Sequence, residues 1–222
     1  MYFSGIADEA GVGIEAQIET HRELGWNHIE LRLVNGVNVC QLPENDFEKV
    51  KTALNKGGMK VSAFASAIGN WSRAITDDFE VDRQELETAI PRMKDMDVQF
   101  IRVMSWKGEG ADEKDWGNEA LRRFKELAAR ANEESVVLAL ENCSGYANLS
   151  PEHFVNFIKQ VDSPALKALY DTGNPAAYGY ETWPYYKALK PYIAYVHIKA
   201  NVGRNPDGSE GRVTSILMTP AV

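Results

Sequence analysis

Seven short apolar runs recur along the chain, their starts about 25 to 40 residues apart, and this rhythm limits what the chain can fold into. They are Phe3–Ala7, His28–Leu33, Lys60–Ala65, Phe100–Met104, Val136–Glu141, Leu166–Asp171 and Ala194–Lys199. Each is rich in Val, Ile, Leu or Phe with little alternation, the pattern of a strand covered on both faces. Each interval has room for one strand, one helix and two loops, which is what neighbouring parallel strands require.

Helical periodicity fills the intervals. Ile14, Ile18 and Leu24 share one face of a first helix, and Phe47, Val50 and Leu54 one face of a second, which Gly57-Gly58 should end. Leu86, Ile90 and Met93 mark a third, with Pro91 placed to kink it. Leu121, Phe124, Ala128 and Ala131 mark a fourth. The fifth has the clearest start: Ser150 as N-cap, Pro151 at the first helical position, then Phe154, Phe157, Ile158 and Val161 on one face. A sixth, weaker pattern covers Trp183 to Leu189.

Seven such units predict an α/β fold, a TIM (β/α)8-type barrel truncated before or within its eighth strand. The competing architecture, a doubly wound open sheet, usually carries a Gly-rich phosphate loop after its first strand. Here that loop is Asp8-Glu9-Ala10-Gly11-Val12-Gly13, and two acidic residues suit a phosphate poorly. The barrel domain is placed at residues 1–200, and residues 201–222 form an atypical tail. In it a polar, turn-rich loop, Gly203 to Gly211, precedes Val213 to Met218, apolar enough for one short strand. That strand would bring no carboxylate at its end. A barrel left open would expose unpaired edges on its first and seventh strands.

The formal net charge of −8 argues against nucleic-acid binding, which runs on Lys and Arg. The start has no basic and apolar leader, and no apolar run approaches membrane-spanning length, so a cytoplasmic location without a membrane partner is expected. Cys40 and Cys143 lack metal-type spacing, and Cys143 reads as a small buried thiol.

Glu141, Asp171 and His197 belong to three successive runs. Parallel strands point the same way, so side chains at their C-terminal ends converge on one face. Two carboxylates and an imidazole there suit a hard-to-borderline divalent cation with one ligand missing. Each residue also has an ordinary reading: acidic residues after strands cap helices, and His197 inside Ile193-Ala-Tyr-Val-His-Ile-Lys199 could be structural, pointing inward or outward.

Three motifs, Glu141-Asn142, Tyr170-Asp171-Thr172-Gly173-Asn174 and Val196-His197-Ile198-Lys199, resemble those on strands 5, 6 and 7 of the xylose isomerase-like sugar (phosphate) isomerases and epimerases. Ile29-Glu30-Leu31-Arg32, after Leu24-Gly25-Trp26, resembles that family's strand-2 signature. The resemblance covers about residues 1–200. It implies a TIM barrel holding Mn²⁺ foremost, or Mg²⁺, Co²⁺ or Zn²⁺, on Glu141, Asp171, His197 and a final Glu from strand 8 that has no counterpart here. Two further positions depart from the family: Asn174 stands where many members have a substrate-touching His, and Ala200 where many have Asp.

The implied activity is isomerisation or epimerisation by proton transfer next to a ketose carbonyl through a metal-stabilised enediolate. Glu141 would be both ligand and general base, and Lys199 would bind a substrate oxygen or the developing oxyanion. Glu30, Trp106 and Asn174 are the expected substrate-binding residues, although Trp106 also suits loop packing and Lys199 a solvent-directed role. The expected partner is a free sugar or sugar phosphate, and a homodimer covering the open side is implied. Two alternatives stand beside this reading: a metal-dependent sugar or inosose dehydratase, and a catalytically impaired barrel that only binds metal or sugar. A DNA-repair endonuclease of the same superfamily needs more histidines than His21, His28, His153 and His197.

Overall fold

The inward and outward parity of the strands organises the molecule. The structure, a computed structural model, describes residues 2–200 and the strand at 214–218. In chain order the strands are β1 (Ser4–Ile6), β2 (His28–Leu31), β3 (Leu33–Val34), β4 (Val37–Asn38), β5 (Lys60–Ala65), β6 (Phe100–Ser105), β7 (Val137–Gly145), β8 (Leu166–Asp171), β9 (Ile193–Ala200) and β10 (Thr214–Met218). The helices are α1 (Ile14–Glu23), α2 (Glu44–Gly57), α3 (Glu80–Asp95), α4 (Glu113–Glu133), α5 (Pro151–Val161), α6 (Asn174–Ala177) and α7 (Thr182–Leu189).

β1, β2, β5, β6, β7, β8 and β9 pair in that order, every pair parallel, and they correspond to the seven runs expected from the sequence. β10 follows β9 in the sheet but runs antiparallel to it, Thr214 opposite Ala200 and Met218 opposite Ile198. The fold is thus a (β/α) barrel wall of seven parallel strands, with no eighth parallel strand among the described residues. The turn-rich segment at 203–211 lies outside the described residues.

Helix signals are met where the chemistry is local. Ser150 Oγ accepts the His153 amide at 3.0 Å and Pro151 opens α5, a cap that contributes about 1 kcal/mol. Gly58, left-handed at φ 66°, ends α2. Pro91 lies inside α3, which continues to Asp95. The β3–β4 hairpin turns on Asn35 and Gly36, both with positive φ, an Asn-Gly pair suited to such a turn.

The main core lies between sheet and helices, where Phe47, Leu54, Leu86, Ile90, Phe124, Phe154 and Phe157 pack. Each contributes roughly 1.5–3 kcal/mol by leaving water. Inside the barrel a smaller layer of Ala63, Ala139, Leu169 and Tyr195 fills the lower lumen. Because strand side chains alternate, the next inward positions after Ala139, Leu169 and Tyr195 are Glu141, Asp171 and His197. The apolar layer is therefore the floor of a charged one.

A candidate metal centre above the barrel floor

Each of Glu141, Asp171 and His197 offers a ligand atom, and the three atoms lie within 4.8 Å of one another. Donors around one divalent cation stand about 3–4 Å apart, so the spacing is close to what a cation needs. Strand register explains the meeting: Glu141 pairs with Leu169 on β8, and Asp171 with His197 on β9. All three side chains are buried. Glu141 Oε2 is buried without a hydrogen-bond partner, as expected of a carboxylate oxygen reserved for a ligand. Two carboxylates and an imidazole therefore fit a divalent cation.

His197 is held from below. Its Nε2 lies 3.0 Å from Glu30 Oε2 and 3.2 Å from Oε1, while Nδ1 faces Glu141 Oε1 at 3.8 Å. Glu30 also accepts a hydrogen bond from the Tyr195 hydroxyl at 2.9 Å, and that hydroxyl lies 3.0 Å from Ser62 Oγ. Burial alone would raise the Glu30 carboxyl, but the charge and hydrogen bond of His197, with Arg102 and Tyr195, bring it below its usual value. Ionised Glu30 can only accept, so Nε2 carries a proton and Nδ1 is the nitrogen directed at the centre. Burial disfavours a charged imidazole, yet Glu30 and Glu141 outweigh it and raise His197 to about 10. These carboxylates favour the protonated ring, and a cation at Nδ1 would take the place of a proton.

Asp171 is fixed by backbone donors. Its Oδ1 accepts the amides of Gly173 and Asn174, both at 2.8 Å. A Cβ on Gly173 would lie 2.8 Å from the Lys199 carbonyl oxygen, so this turn requires glycine. Burial and the Glu141 charge raise the Asp171 carboxyl above its usual value. Asn142 clasps the same strand from β7: its Nδ2 donates to the Asp171 carbonyl at 3.0 Å and its Oδ1 accepts the Asp171 amide at 2.6 Å.

Glu141 is surrounded by donors and positive charge. Asn174 Nδ2 donates to its Oε1 at 3.1 Å, and Lys199 Nζ reaches Asn174 Oδ1 at 3.4 Å. Arg102 Nε lies 3.7 Å from its Oε2. Burial would raise this carboxyl, but His197, Arg102 and Lys199 together hold it down to about 2. Burial, then the Glu141 charge, push the Cys143 thiol up to about 12, which disfavours the thiolate that a nucleophile needs.

The structure brings together Glu141, Asp171, His197, Lys199, Asn174 and Glu30, but not Trp106. Glu30, expected to bind substrate, is 0% exposed beneath His197, which places it behind a candidate ligand. Trp106, also 0% exposed, has a left-handed φ of 51° and packs edge-on against Phe79 and Phe124, with Nε1 donating to Asp82 at 2.8 Å. Its surroundings are those of loop packing.

Four neighbours of the centre escape the sequence reading: Arg102, Asn142, Trp71 and Tyr178. Arg102 does leave a signal, a charge at an inward position of an otherwise apolar strand. Asn142 follows Glu141 in a quoted motif, yet its clasp on β8 is visible only in three dimensions. Trp71 and Tyr178 lie on loops, where no periodicity marks them.

Several solved structures share the fold. The probable 3-DHS dehydratase from Bacillus anthracis is 17% identical with a TM-score of 0.75, over 93% of this chain and 75% of that one. A xylose isomerase-like TIM barrel protein from Mycobacterium smegmatis, in complex with magnesium, is 20% identical with a TM-score of 0.69, over 91% and 71%. The D-psicose 3-epimerase from Clostridium cellulolyticum H10, with D-tagatose, is 16% identical with a TM-score of 0.70, over 93% and 78%. No curated protein sequence matches significantly. Among the described residues no helix is long and apolar enough to cross a membrane. The model of one family matches residues 18–215, and the chain accordingly belongs to the xylose isomerase-like TIM barrels.

Proposed function

We propose that the protein is a divalent-metal-dependent isomerase or epimerase of sugars or sugar phosphates that moves a proton next to a ketose carbonyl. The observation that carries this reading is the buried cluster of Glu141, Asp171 and His197 with Lys199 beside it. A similar fold in a D-psicose 3-epimerase and in a magnesium-bound barrel supports it.

Glu141, Asp171 Oδ2 and His197 Nδ1 would hold the cation, Mn²⁺ being the first choice for a hard-to-borderline donor set. When bound, the ion supplies Lewis acidity, which acidifies the C–H next to a carbonyl. The chain's own groups then divide the work. Glu141 is held ionised, the form a general base needs, at some cost in basicity. Asn174 donates to one of its oxygens, and the other, without a hydrogen-bond partner, would take the proton. Lys199, two residues beyond His197 on the same face of β9, supplies an ammonium for a substrate oxygen.

The dehydratase alternative keeps the same first step and adds loss of a β-hydroxyl. The fold shared with the probable 3-DHS dehydratase favours retaining it. Solvent-deuterium incorporation in the presence of Mn²⁺, followed by NMR, tests the common step. D-fructose, D-tagatose and 3-dehydroshikimate are suitable substrates. Exchange next to the carbonyl that Glu141→Gln abolishes is expected. Formation of an isomer or epimer supports the first reading, and formation of a dehydrated product the second. No exchange with any of them, despite bound Mn²⁺, would leave a barrel that binds metal without this chemistry.

A further inference from the structure

The C-terminal ends of the parallel strands form the mouth of the barrel, and two large aromatic rings stay half exposed around it. On the β5 side Trp71 covers the Arg102 guanidinium, its ring centroid 5.8 Å from the central carbon, on a segment that Arg73 ties to Asp82 and Glu85. On the β8 side the ring is that of Tyr178. Asn174, at the start of α6, is buried, and its amide is engaged at both ends: Nδ2 donates to Glu141 and Oδ1 faces Lys199 Nζ. One helical turn further on the same face comes Tyr178. Its amide donates to the carbonyls of Asn174 and Pro175, both at 3.1 Å, and Gly179, left-handed at φ 81°, ends the turn.

The tyrosine hydroxyls of this region differ in what they meet. Tyr170 donates to the Thr182 carbonyl at 3.0 Å, Tyr180 to the Leu149 carbonyl and Tyr185 to Asn148 Oδ1. Among the described residues the Tyr178 hydroxyl meets no oxygen, and its contact is Cys143 Sγ at 3.7 Å, a weak partner. Cys143 lies two residues beyond Glu141 on the same face of β7, about 6.6 Å nearer the mouth. A fixed backbone thus holds a hydroxyl without an oxygen partner one pleat above the candidate base. Burial first, then Cys143 and the Glu141 and Asp171 charges, raise this phenol well above its usual value, so it stays protonated and able to donate.

We propose that Tyr178 is a substrate-binding residue whose hydroxyl donates a hydrogen bond to a substrate hydroxyl on the mouth side of the reacting carbon. The proposal deepens the function proposed above and rests on it. A donor one pleat above Glu141 faces the part of a bound molecule that lies away from the proton being moved. It therefore reads a hydroxyl remote from the carbonyl, on a polyhydroxy chain or ring. Such a contact is equally strong in the ground and transition states, so it sets affinity and leaves the rate of proton transfer unchanged. The protein's own fold does not use this hydroxyl, whereas it does use those of Tyr170, Tyr180 and Tyr185.

The test compares Tyr178→Phe and Tyr185→Phe with the wild type, all as Mn²⁺-loaded full chains. D-fructose, D-tagatose and 3-dehydroshikimate are the probes, with binding followed by calorimetry and solvent-deuterium exchange by NMR. Tyr178→Phe keeps the ring and removes only the hydroxyl. Its Kd and KM are expected to rise about three- to tenfold, the effect of losing one neutral hydrogen bond. Its kcat for exchange, Mn²⁺ content and melting temperature are expected to stay at the wild-type values. Tyr185→Phe loses a hydrogen bond made inside the protein, so its melting temperature should fall while Kd stays constant. Unchanged Kd in Tyr178→Phe, a fall in its kcat without a rise in Kd, a fall in its melting temperature, or an equal rise of Kd in Tyr185→Phe would each overturn the proposal. Wild-type protein that takes up no Mn²⁺ or exchanges none of the three probes would overturn the underlying function, and with it this proposal. That failure is recognised before any variant is compared.

Discussion

Glu30 and His197, 167 residues apart in sequence, meet inside the barrel with Nε2 3.0 Å from the carboxylate. A buried carboxylate behind a candidate histidine ligand fixes which ring nitrogen carries the proton and which way the ring faces. The second-strand glutamate thus acts on the centre through His197.

Glu30→Gln should weaken Mn²⁺ binding by about 10- to 100-fold, the usual effect of losing such a partner. Because Gln keeps the volume and can still hydrogen-bond, the fold should survive. Mn²⁺ titration monitored by calorimetry, with circular dichroism as the folding control, checks both points. Unchanged affinity would mean that Glu30 only neutralises the imidazolium.

Asn142→Ala removes both side-chain bonds to the Asp171 backbone. Each buried group left unsatisfied costs about 1–3 kcal/mol, so chemical denaturation should show a loss of that order or more. Mn²⁺ affinity should fall as well, since Asp171 loses its anchor. A stability change without an affinity change would show that the clasp serves the sheet alone.

Gly173→Ala places a methyl group 2.8 Å from the Lys199 carbonyl oxygen. Overpacking of this kind typically costs about 1–3 kcal/mol. The melting temperature should drop accordingly, by roughly 2–4 °C per kcal/mol for a chain of this size. Wild-type stability in the variant would mean that the β8 turn can shift away from β9.

Adding Mn²⁺ should stabilise the wild type by mass action, about 2.7 kcal/mol at a free concentration one hundred times Kd. Excess chelator should reverse the shift. Asp171→Asn should melt at the same temperature with and without Mn²⁺. A shift of equal size in that variant would place the ion elsewhere.

What the sequence makes legible is local or periodic. The seven strands, the Ser150–Pro151 cap and the Gly58 stop depend on nearest neighbours along the chain, and the structure places them within a few residues of expectation. The convergence of Glu141, Asp171 and His197 follows from strand parity plus parallel order, so it too can be read in advance. The role of Glu30 cannot, because it exists only once β2 faces β9 across the lumen. Trp106 follows a strand as an active-site aromatic would, but its left-handed backbone is associated with burial among Phe79 and Phe124, against Asp82. Arg102 was within reach of the same parity argument that finds Glu141, whereas Trp71 owes its position to the Arg73, Asp82 and Glu85 network.

The most direct test is the Mn²⁺ content of protein loaded with the ion and then dialysed, measured by mass spectrometry for wild type, Glu141→Gln and His197→Ala. Near one ion per wild-type chain, with content falling sharply in both variants that remain folded, is the expected outcome. A wild-type chain that retains none, or folded variants that retain as much as the wild type, would show that Glu141 and His197 do not form a metal centre.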